Sequence, residues 1–521
     1  MKVDYSLYLV TDNTKPILGD RDLCWVVEEA VKGGVTVVQL RDKTSETAEL
    51  IRIAKKLHNI TKSHDVPLLI NDRVDVAFAA GAEGVHLGQD DMDIETARKL
   101  LGPNAIIGVT ASSRDEAKQA VEGGADYLGI GTLFTTPTKE NTKAIIGTAG
   151  TRDILDSLAS LNQQVSTVCI GGINASNAQR VLYQSRSLSK GLDGIAVVSA
   201  IMAAPDPRGA AEELRKLVTQ PPRFAAENDE KRVHTVEEIL RQVPEIVAKV
   251  AQQIPLCHNM TNLVVQNFAA NVALCIGASP IMANNGDEAE DLCKLGGALV
   301  VNMGTVTPDG LQNYLKALRS YNAVGGPVLF DPVGAGATKQ RREAVKSLMA
   351  GGYFDLIKGN EGEIKTVSGT SGVQQRGVDS GASTLGLQEK AALVARTAAR
   401  ERNIILMTGK TDLISDGTRT FAISNGHEYL GEITGSGCTL GTTVAAFMAV
   451  HREDKLLAAI AGILMYEIAA ERAARPFGDV HGPGTFVPAF LDELSRIKKK
   501  PDDGFLGGGW LSGAKIERVD S

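Results

Sequence analysis

Along residues 1 to about 218, short apolar runs alternate with longer stretches whose apolar positions recur every three or four residues. The short runs begin near Leu7, Val35, Pro67, Gly84, Ile106, Tyr127, Thr167 and Gly194 and predict buried strands. Between them, segments such as Thr47–Lys62 carry an apolar stripe (Leu50, Ile53, Ala54, Leu57) and predict amphipathic helices. About eight βα units in a segment of this length is the count for a (β/α)8 TIM barrel, with a doubly wound open sheet as the structural alternative.

The alternation breaks between Thr219 and Arg232, where Pro221, Pro222 and a cluster of charges mark a connection. The expected organisation is therefore an N-terminal α/β barrel over 1–220, a linker over 221–235 and a second α/β domain over 236–521. The second pattern contains buried-type strands at Ala298–Asn302, Pro327–Phe330 and Ile404–Thr408, then a meander at Thr411–Ser415 and Thr420–Ser424. Gly369–Gly386 reads as an inserted surface loop, and Gly504–Trp510 as a flexible or docking extension.

Composition narrows the partners. The 521 residues carry a formal charge of −7, 43% hydrophobic and 22% charged residues. This balance excludes disorder and speaks against phosphate-backbone or anionic-membrane binding, so small-molecule substrates are expected. The longest apolar run, Leu456 to Tyr466, falls short of the roughly 30 Å hydrocarbon core of a bilayer. Six scattered cysteines with no C-x-x-C pair suit a reducing compartment. With no leader-like start, a cytoplasmic protein is the expectation.

The C-terminal ends of barrel strands carry the functional loops of such folds. In this chain they read Gln39-Leu40-Arg41-Asp42-Lys43, Asn71-Asp72, His86 through Asp91, Thr110, Thr135 through Lys139, Gly171-Gly172 and Val198-Ser199. Arg41 and Lys43 alternate with neighbours and can point into one mouth, which suits a polyanion. Asp72 and Asp91 end neighbouring strands and suit one Mg2+ on phosphate oxygens. Gly171-Gly172 can expose backbone N–H groups to a second phosphate. Each has a plainer reading: an Arg41–Asp72 strand-end ion pair, a glycine turn, a packed strand-end His86.

The set Gln39-x-Arg41-x-Lys43, Asn71-Asp72, Gly88-Gln89-x-Asp91, Thr136-x-Thr138-Lys139, Gly171-Gly172-Ile173 and Val198-Ser199 closely resembles thiamine-phosphate synthase. The resemblance implies that Gln39, Leu40, Arg41, Asp42, Lys43, Asn71, Thr110 and Lys139 hold 4-amino-2-methyl-5-hydroxymethylpyrimidine diphosphate. It implies Mg2+ on Asp72 and Asp91, and a thiazole phosphate held by Thr136, Pro137, Thr138, Gly171, Val198 and Ser199. Thr110 stands where the family often has Ser, which keeps the hydroxyl.

The second half lacks a Walker A motif and the protein-kinase signatures. It has Gly435-Ser436-Gly437-Cys438 opening a helical run, an arrangement that offers backbone N–H groups to an anion. Asp331 follows one strand, Lys358 and Glu363 another, and Thr408 ends a third. Asp331 and Glu363 suit Mg2+ on ATP phosphates; helix capping is their plainer role. With His258-Asn259-Met260-Thr261-Asn262, Gly277 through Met282 and Gly482 through Phe486, this half resembles hydroxyethylthiazole kinase, a ribokinase-like family. The resemblance implies ATP as co-substrate on Lys358 and Thr408, and the thiazole alcohol at Met282 and Gly435. Lys358 stands where many bacterial relatives have Arg.

Cys438 occupies the turn where ribokinase-like sugar kinases usually place an Asp base. A catalytic role is expected for it, with the helix N-terminus lowering its thiol pKa. The whole chain resembles the fused bifunctional thiamine-biosynthesis enzymes of fungi, which implies a kinase step feeding a condensation step. The rival readings are scavenging activities on related ring alcohols and a thiamine sensor without turnover. Kinship also implies a homo-oligomer assembled through the kinase domain.

Overall fold

Residues 3–136, 145–159, 161, 164–187, 189–225, 232–369, 385–475, 478–501 and 509–520 are described by a computed structural model, in which the chain forms two compact units, Met1–Pro222 and Arg223–Ser521. In the first unit β1 (Leu7–Val10), β2 (Val37–Leu40), β3 (Leu68–Asn71), β4 (Gly84–Leu87), β5 (Ile106–Ala111), β6 (Tyr127–Ile130), β7 (Ser166–Ile170) and β8 (Gly194–Val197) pair in parallel and close on themselves. The closed barrel replaces the open-sheet alternative.

Alternation along each strand sorts the side chains. Leu7, Leu9, Val38, Leu40, Leu68 and Ile70 pack outward with Val26, Val27, Leu50 and Leu57 of the surrounding helices. Tyr8, Val10, Val37, Leu69, Tyr127, Val168 and Ala196 fill the interior. This sorting corrects one expectation: the Leu40 side chain is in the strand–helix layer, so only its backbone is available to a ligand in the mouth.

In the second unit β9 (Leu256–Met260), β10 (Ser279–Ile281), β11 (Ala298–Asn302), β12 (Val328–Asp331), β13 (Leu356–Asn360), β14 (Ile404–Thr408), β15 (Asp412–Ser415), β16 (Thr420–Ile423) and β17 (Ile516–Arg518) form one sheet, in the order β10-β9-β11-β12-β13-β14-β15-β16-β17. Pairing is parallel from β10 to β14 and antiparallel from β14 to β17. Val300, Leu329, Leu356 and Leu406 pack on one face with the helices Val236–Gln253, Ser436–Val450 and Lys455–Ala473. Leu299, Val301, Phe330 and Ile405 pack on the other with Pro308–Val324, Lys339–Gly351 and Leu387–Glu401. The sheet is therefore the middle of three layers.

Of the two expected characters of the chain's end, flexible or docking, its described part has the docking one. Trp510 and Leu511 are buried in the helical layer, Lys515 N–H donates to Asn425 Oδ1 at 2.7 Å, and β17 extends the sheet edge. Residues 504–508 of that segment, and 370–384 of the expected surface loop, lie outside the described residues.

The segment expected as linker is held at both its described ends. Phe224 stacks on Tyr353 with ring centroids 4.4 Å apart, and its carbonyl accepts from Lys455. Val233 N–H donates to Asp454 Oδ2 at 3.1 Å, while Arg419 bridges the Val233 carbonyl and both Asp454 oxygens at 2.7–2.9 Å. Arg419 and Asp454 side chains are 3% and 0% exposed, so losing one partner strands a buried charge. Arg419→Met is expected to destabilise the second unit by about 3–5 kcal/mol, read as a lower urea midpoint for that unit. An unshifted midpoint would show that the pair does not hold the unit together.

Candidate active sites

In the first unit a cavity of about 820 Å³ opens at the carboxyl ends of the barrel strands. Gln39, Arg41 and Lys43 reach it because every second residue from β2 onward points inward. Asp42, the intervening residue, does not line it. Its Oδ1 accepts the N–H groups of Thr44 and Ser45 at 2.9 and 3.0 Å, and its Oδ2 accepts Ser45 Oγ at 2.6 Å and Asn13 Nδ2 at 2.7 Å. Burial alone would raise this carboxyl, but the Ser45 and Thr44 donors outweigh it and hold the pKa below the usual range. The Asp42 carboxylate thus organises its loop, and only the backbone of this residue is available to a ligand in the mouth.

Arg41 pairs with buried Asp12 at 3.8 Å rather than with Asp72; Lys43 forms the ion pair with Asp72. Asp72 takes a left-handed backbone, φ 62°, with its N–H donating to the His86 carbonyl at 2.9 Å. Asp91 Oδ2 accepts Gly88 N–H at 2.7 Å. Burial, and next the neighbouring Asp72 carboxyl, push the Asp91 pKa up. Among the described residues no group of three or more His, Cys, Asp or Glu gathers for a metal. The Asp72–Asp91 pair nevertheless fits Mg2+, which commonly takes one or two carboxylates and completes its shell with phosphate and water.

Asn71, Thr110, Thr136, Gly171, Val198 and Ser199 also line this cavity. Gly171 and Gly172 have φ of 113° and 67°, a conformation that glycine adopts without strain and that turns the backbone of this loop sharply. Pro137, Thr138 and Lys139 lie outside the described residues. His86, whose plainer reading was a packed histidine, instead lines the cavity and bonds Thr110 Oγ1 through Nε2 at 2.9 Å. Tyr8, Tyr127 and Gln89 line it too, though no motif marked the two tyrosines.

In the second unit the helix Ser436–Val450 starts at Gly435, whose φ of 89° is the left-handed turn that lets the chain enter the helix. Lys358 and Asp331 lie beneath its first turn. Lys358 Nζ is 3.3 Å from Asp331 Oδ2, and the two side chains are 5% and 1% exposed. Asn302 Nδ2 donates to Asp331 Oδ2 at 2.9 Å, and Asn262 Nδ2 lies 3.1 Å from Asn302 Oδ1 and 3.6 Å from Cys438 Sγ. Asp331 Oδ1 is buried without a hydrogen bond, an open acceptor position suited to a cation. Glu363 caps its helix, accepting Gly334 and Asn360 N–H groups at 2.8 Å each. Burial, with Asp331 nearby, raises its pKa to about 7. Glu363 therefore has its plainer expected role, the helix cap, and is in addition a buried acid beside Asp331.

Burial by itself would lower the Lys358 pKa, but Asp331, Cys438 and Glu363 lift it and keep the ammonium charged. Thr408 ends β14 and Met282 comes directly after β10; both are half-buried. The expectation for Cys438 is reversed. Burial, then the Asp331 carboxyl, push the thiol up to about 11, more than Lys358 and the asparagines offset. The sequence exposed the helix N-terminus but not the carboxylate that folds against it. Asn302 and Tyr466 were missed: Asn302 has a strand-end signal, whereas Tyr466, which bonds Thr439 Oγ1 and the Ser436 carbonyl at 2.7 and 2.9 Å, has none.

A barrel mouth set for anions and a buried acid–lysine cluster under a glycine turn together define a two-site transferase. The family profile for thiamine monophosphate synthase matches residues 7–201, and that for the hydroxyethylthiazole kinase family matches 247–500. The chain is 43% identical over 524 residues to the "Probable thiamine biosynthetic bifunctional enzyme" of Schizosaccharomyces pombe, spanning 100% of this chain and 99% of that protein. It is 37% identical to the "Thiamine biosynthetic bifunctional enzyme" of Saccharomyces cerevisiae, over 96% of this chain and 97% of that one. A hydroxyethylthiazole kinase of Roseiflexus castenholzii is 42% identical over 50% of this chain and 94% of its own. The chain belongs to the family of bifunctional thiamine biosynthetic enzymes.

Proposed function

We propose that the second unit phosphorylates 4-methyl-5-(2-hydroxyethyl)thiazole with ATP, and that the first condenses the resulting phosphate with 4-amino-2-methyl-5-hydroxymethylpyrimidine diphosphate to give thiamine phosphate and diphosphate. The observation that carries the reading is the cavity lined both by Arg41, Lys43, Asp72 and Asp91, which follow β2, β3 and β4, and by Gly171, Val198 and Ser199, which follow β7 and β8 of the closed barrel. Two anion-holding flanks suit two phosphorylated substrates aligned for one bond.

In the barrel, Arg41 and Lys43 hold the leaving diphosphate, Gln39 and Asn71 orient the pyrimidine, and the Gly171 loop with Ser199 holds the thiazole phosphate. Asp72 and Asp91 are the residues that would carry Mg2+, which supplies charge stabilisation at the departing diphosphate. Loss of that group leaves a pyrimidine methylene cation that the thiazole nitrogen captures, so no protein nucleophile is needed. In the second unit Asp331 and Glu363 would carry Mg2+, Lys358 and Thr408 serve ATP, Met282 and Gly435 border the alcohol, and Cys438 takes the hydroxyl proton. The N–H groups of the first helical turn receive charge on the transferred phosphoryl group.

The purified chain, given Mg2+, thiazole alcohol and pyrimidine diphosphate, is expected to make thiamine phosphate only with ATP. Supplying thiazole phosphate should remove the ATP requirement. Arg41→Met and Lys43→Met are each expected to lower the condensation kcat/KM by about 10–100-fold, the effect of one charge-assisted contact, with kinase turnover unchanged. Absence of product even from thiazole phosphate would remove the synthase reading.

For the kinase, Cys438→Ala is expected to slow turnover without abolishing it. With a thiol near 11, the wild-type rate should climb as pH rises from 7 to 9, because thiolate forms with rising pH. Cys438→Asp, a stronger acid than the thiol, should keep turnover and move that profile to lower pH; an inactive Cys438→Asp protein would remove the base assignment.

We also propose a homo-oligomer built on the second unit. Leu263 and Val264 are 69% and 74% exposed, directly after Asn262, which reaches Cys438, and such apolar exposure favours burial against a second copy. Sedimentation of the chain as a monomer at micromolar concentration would refute this.

A further inference from the structure

Five strands of the barrel contribute to one continuous line of hydrogen bonds beneath the mouth. Gln39 Nε2 on β2 donates to Tyr8 OH on β1 at 2.8 Å, and Tyr8 OH lies 2.7 Å from Tyr127 OH on β6. Tyr127 OH lies 2.7 Å from His86 Nδ1 on β4, and His86 Nε2 is 2.9 Å from Thr110 Oγ1 on β5. Tyr8 and Tyr127 are almost wholly out of water, and all five side chains, including the two ends Gln39 and Thr110, border the cavity.

Space is reserved for this line. A Cβ on Gly108 would fall 2.0 Å from Tyr127 Cζ, and one on Gly129 would fall 2.9 Å from His86 Cε1. Both positions must lack a side chain for the phenol and the imidazole to meet.

We infer that this line runs in one direction and that Tyr127 is a positioning residue, setting the Thr110 hydroxyl as a donor toward the pyrimidine diphosphate. An amide nitrogen only donates, and a phenol has one proton. Tyr8 OH accepts from Gln39 and its other hydrogen-bond partner is Tyr127, so its one proton goes to Tyr127, and Tyr127 gives its own to His86 Nδ1. His86 is then the neutral tautomer with hydrogen on Nε2, which it donates to Thr110 Oγ1. The Thr110 proton is left for an acceptor in the mouth, as a diphosphate oxygen provides. Burial raises both phenols well above their ordinary pKa, so neither loses the proton that keeps the order.

The inference rests on the assignment of Thr110 to the pyrimidine diphosphate, and the test separates the two. Condensation from thiazole phosphate is measured for the full chain carrying Tyr127→Phe, Thr110→Val, both, His86→Gln or His86→Leu. Tyr127→Phe and Thr110→Val are each expected to raise KM for the pyrimidine diphosphate about tenfold, with kcat and the thiazole-phosphate KM within about twofold. The double variant should also stand near tenfold, since the two changes break one line. His86→Leu should match Tyr127→Phe, whereas His86→Gln, an amide that both accepts and donates, should recover part of the KM that His86→Leu loses.

A double variant near a hundredfold, or a Tyr127→Phe effect spread over kcat and both KM values, would overturn the positioning role. Thr110→Val with unchanged KM would instead remove Thr110 from the pyrimidine site, and the inference with it. If Tyr127→Phe fails to fold, the comparison of His86→Gln with His86→Leu decides alone.

Discussion

Parallel strand pairing is the constraint on which both active sites depend. When neighbouring strands run the same way, their carboxyl ends come together, and buried strands admit polar side chains most readily where the pairing stops. Leu68-Leu69-Ile70-Asn71 in the barrel and Val328-Leu329-Phe330-Asp331 in the sheet each stay apolar until the last residue. In the sheet the register sets Asn302 opposite Asp331, and this brings their side chains within a 2.9 Å hydrogen bond. The functional groups are gathered by the same geometry that builds each core.

The two sites use charge in different surroundings. Lys43 is 56% exposed while its partner Asp72 is 19% exposed, so solvent screens that pair and leaves the lysine able to exchange a carboxylate for an arriving phosphate. Lys358 and Asp331 are almost wholly out of water, where an ion pair is worth keeping only if its geometry is held. Asn302 supplies that hold on the Asp331 side, and the helix start above Lys358 closes the other. A loose pair in an open mouth suits a site that grips and releases diphosphate. A fixed one suits a site whose work is to place a single hydroxyl.

Much of this was legible in the order of residues, and the exceptions share a cause. Strand starts and strand ends are local, so the eight barrel strands were readable from their apolar runs, and the groups at their ends from the polar residues that terminate each run. Alternation marked Arg41 and Lys43 as inward; Leu40 and Asp42 came with the contiguous motif of the resemblance, and their side chains point away from the cavity. The Arg41 partner, Asp12, and the line through Tyr8, Tyr127 and His86 join separate strands, and no spacing in the chain encodes them. The tail's glycines left a flexible and a docking reading open, because the burial of Trp510 is decided by a helix far away in sequence.

The reversed thiol pKa explains why a cysteine fits the kinase turn. Asp331 and Glu363 are already buried there, and Lys358 is the cation placed against them. A third permanent carboxylate would add like-charge repulsion in a poorly solvated place and would weaken the resting fold. A thiol held near 11 adds no charge to the resting site. With Cys438 in the proposed base role, the site gives up ionised base at neutral pH, not base strength, for a stable resting state, and phosphoryl transfer tolerates this because positioning and charge stabilisation supply most of the rate. Burial first, and then the Asp331 carboxylate, which also suits that residue to a metal ion, are what keep Cys438 protonated in the resting site.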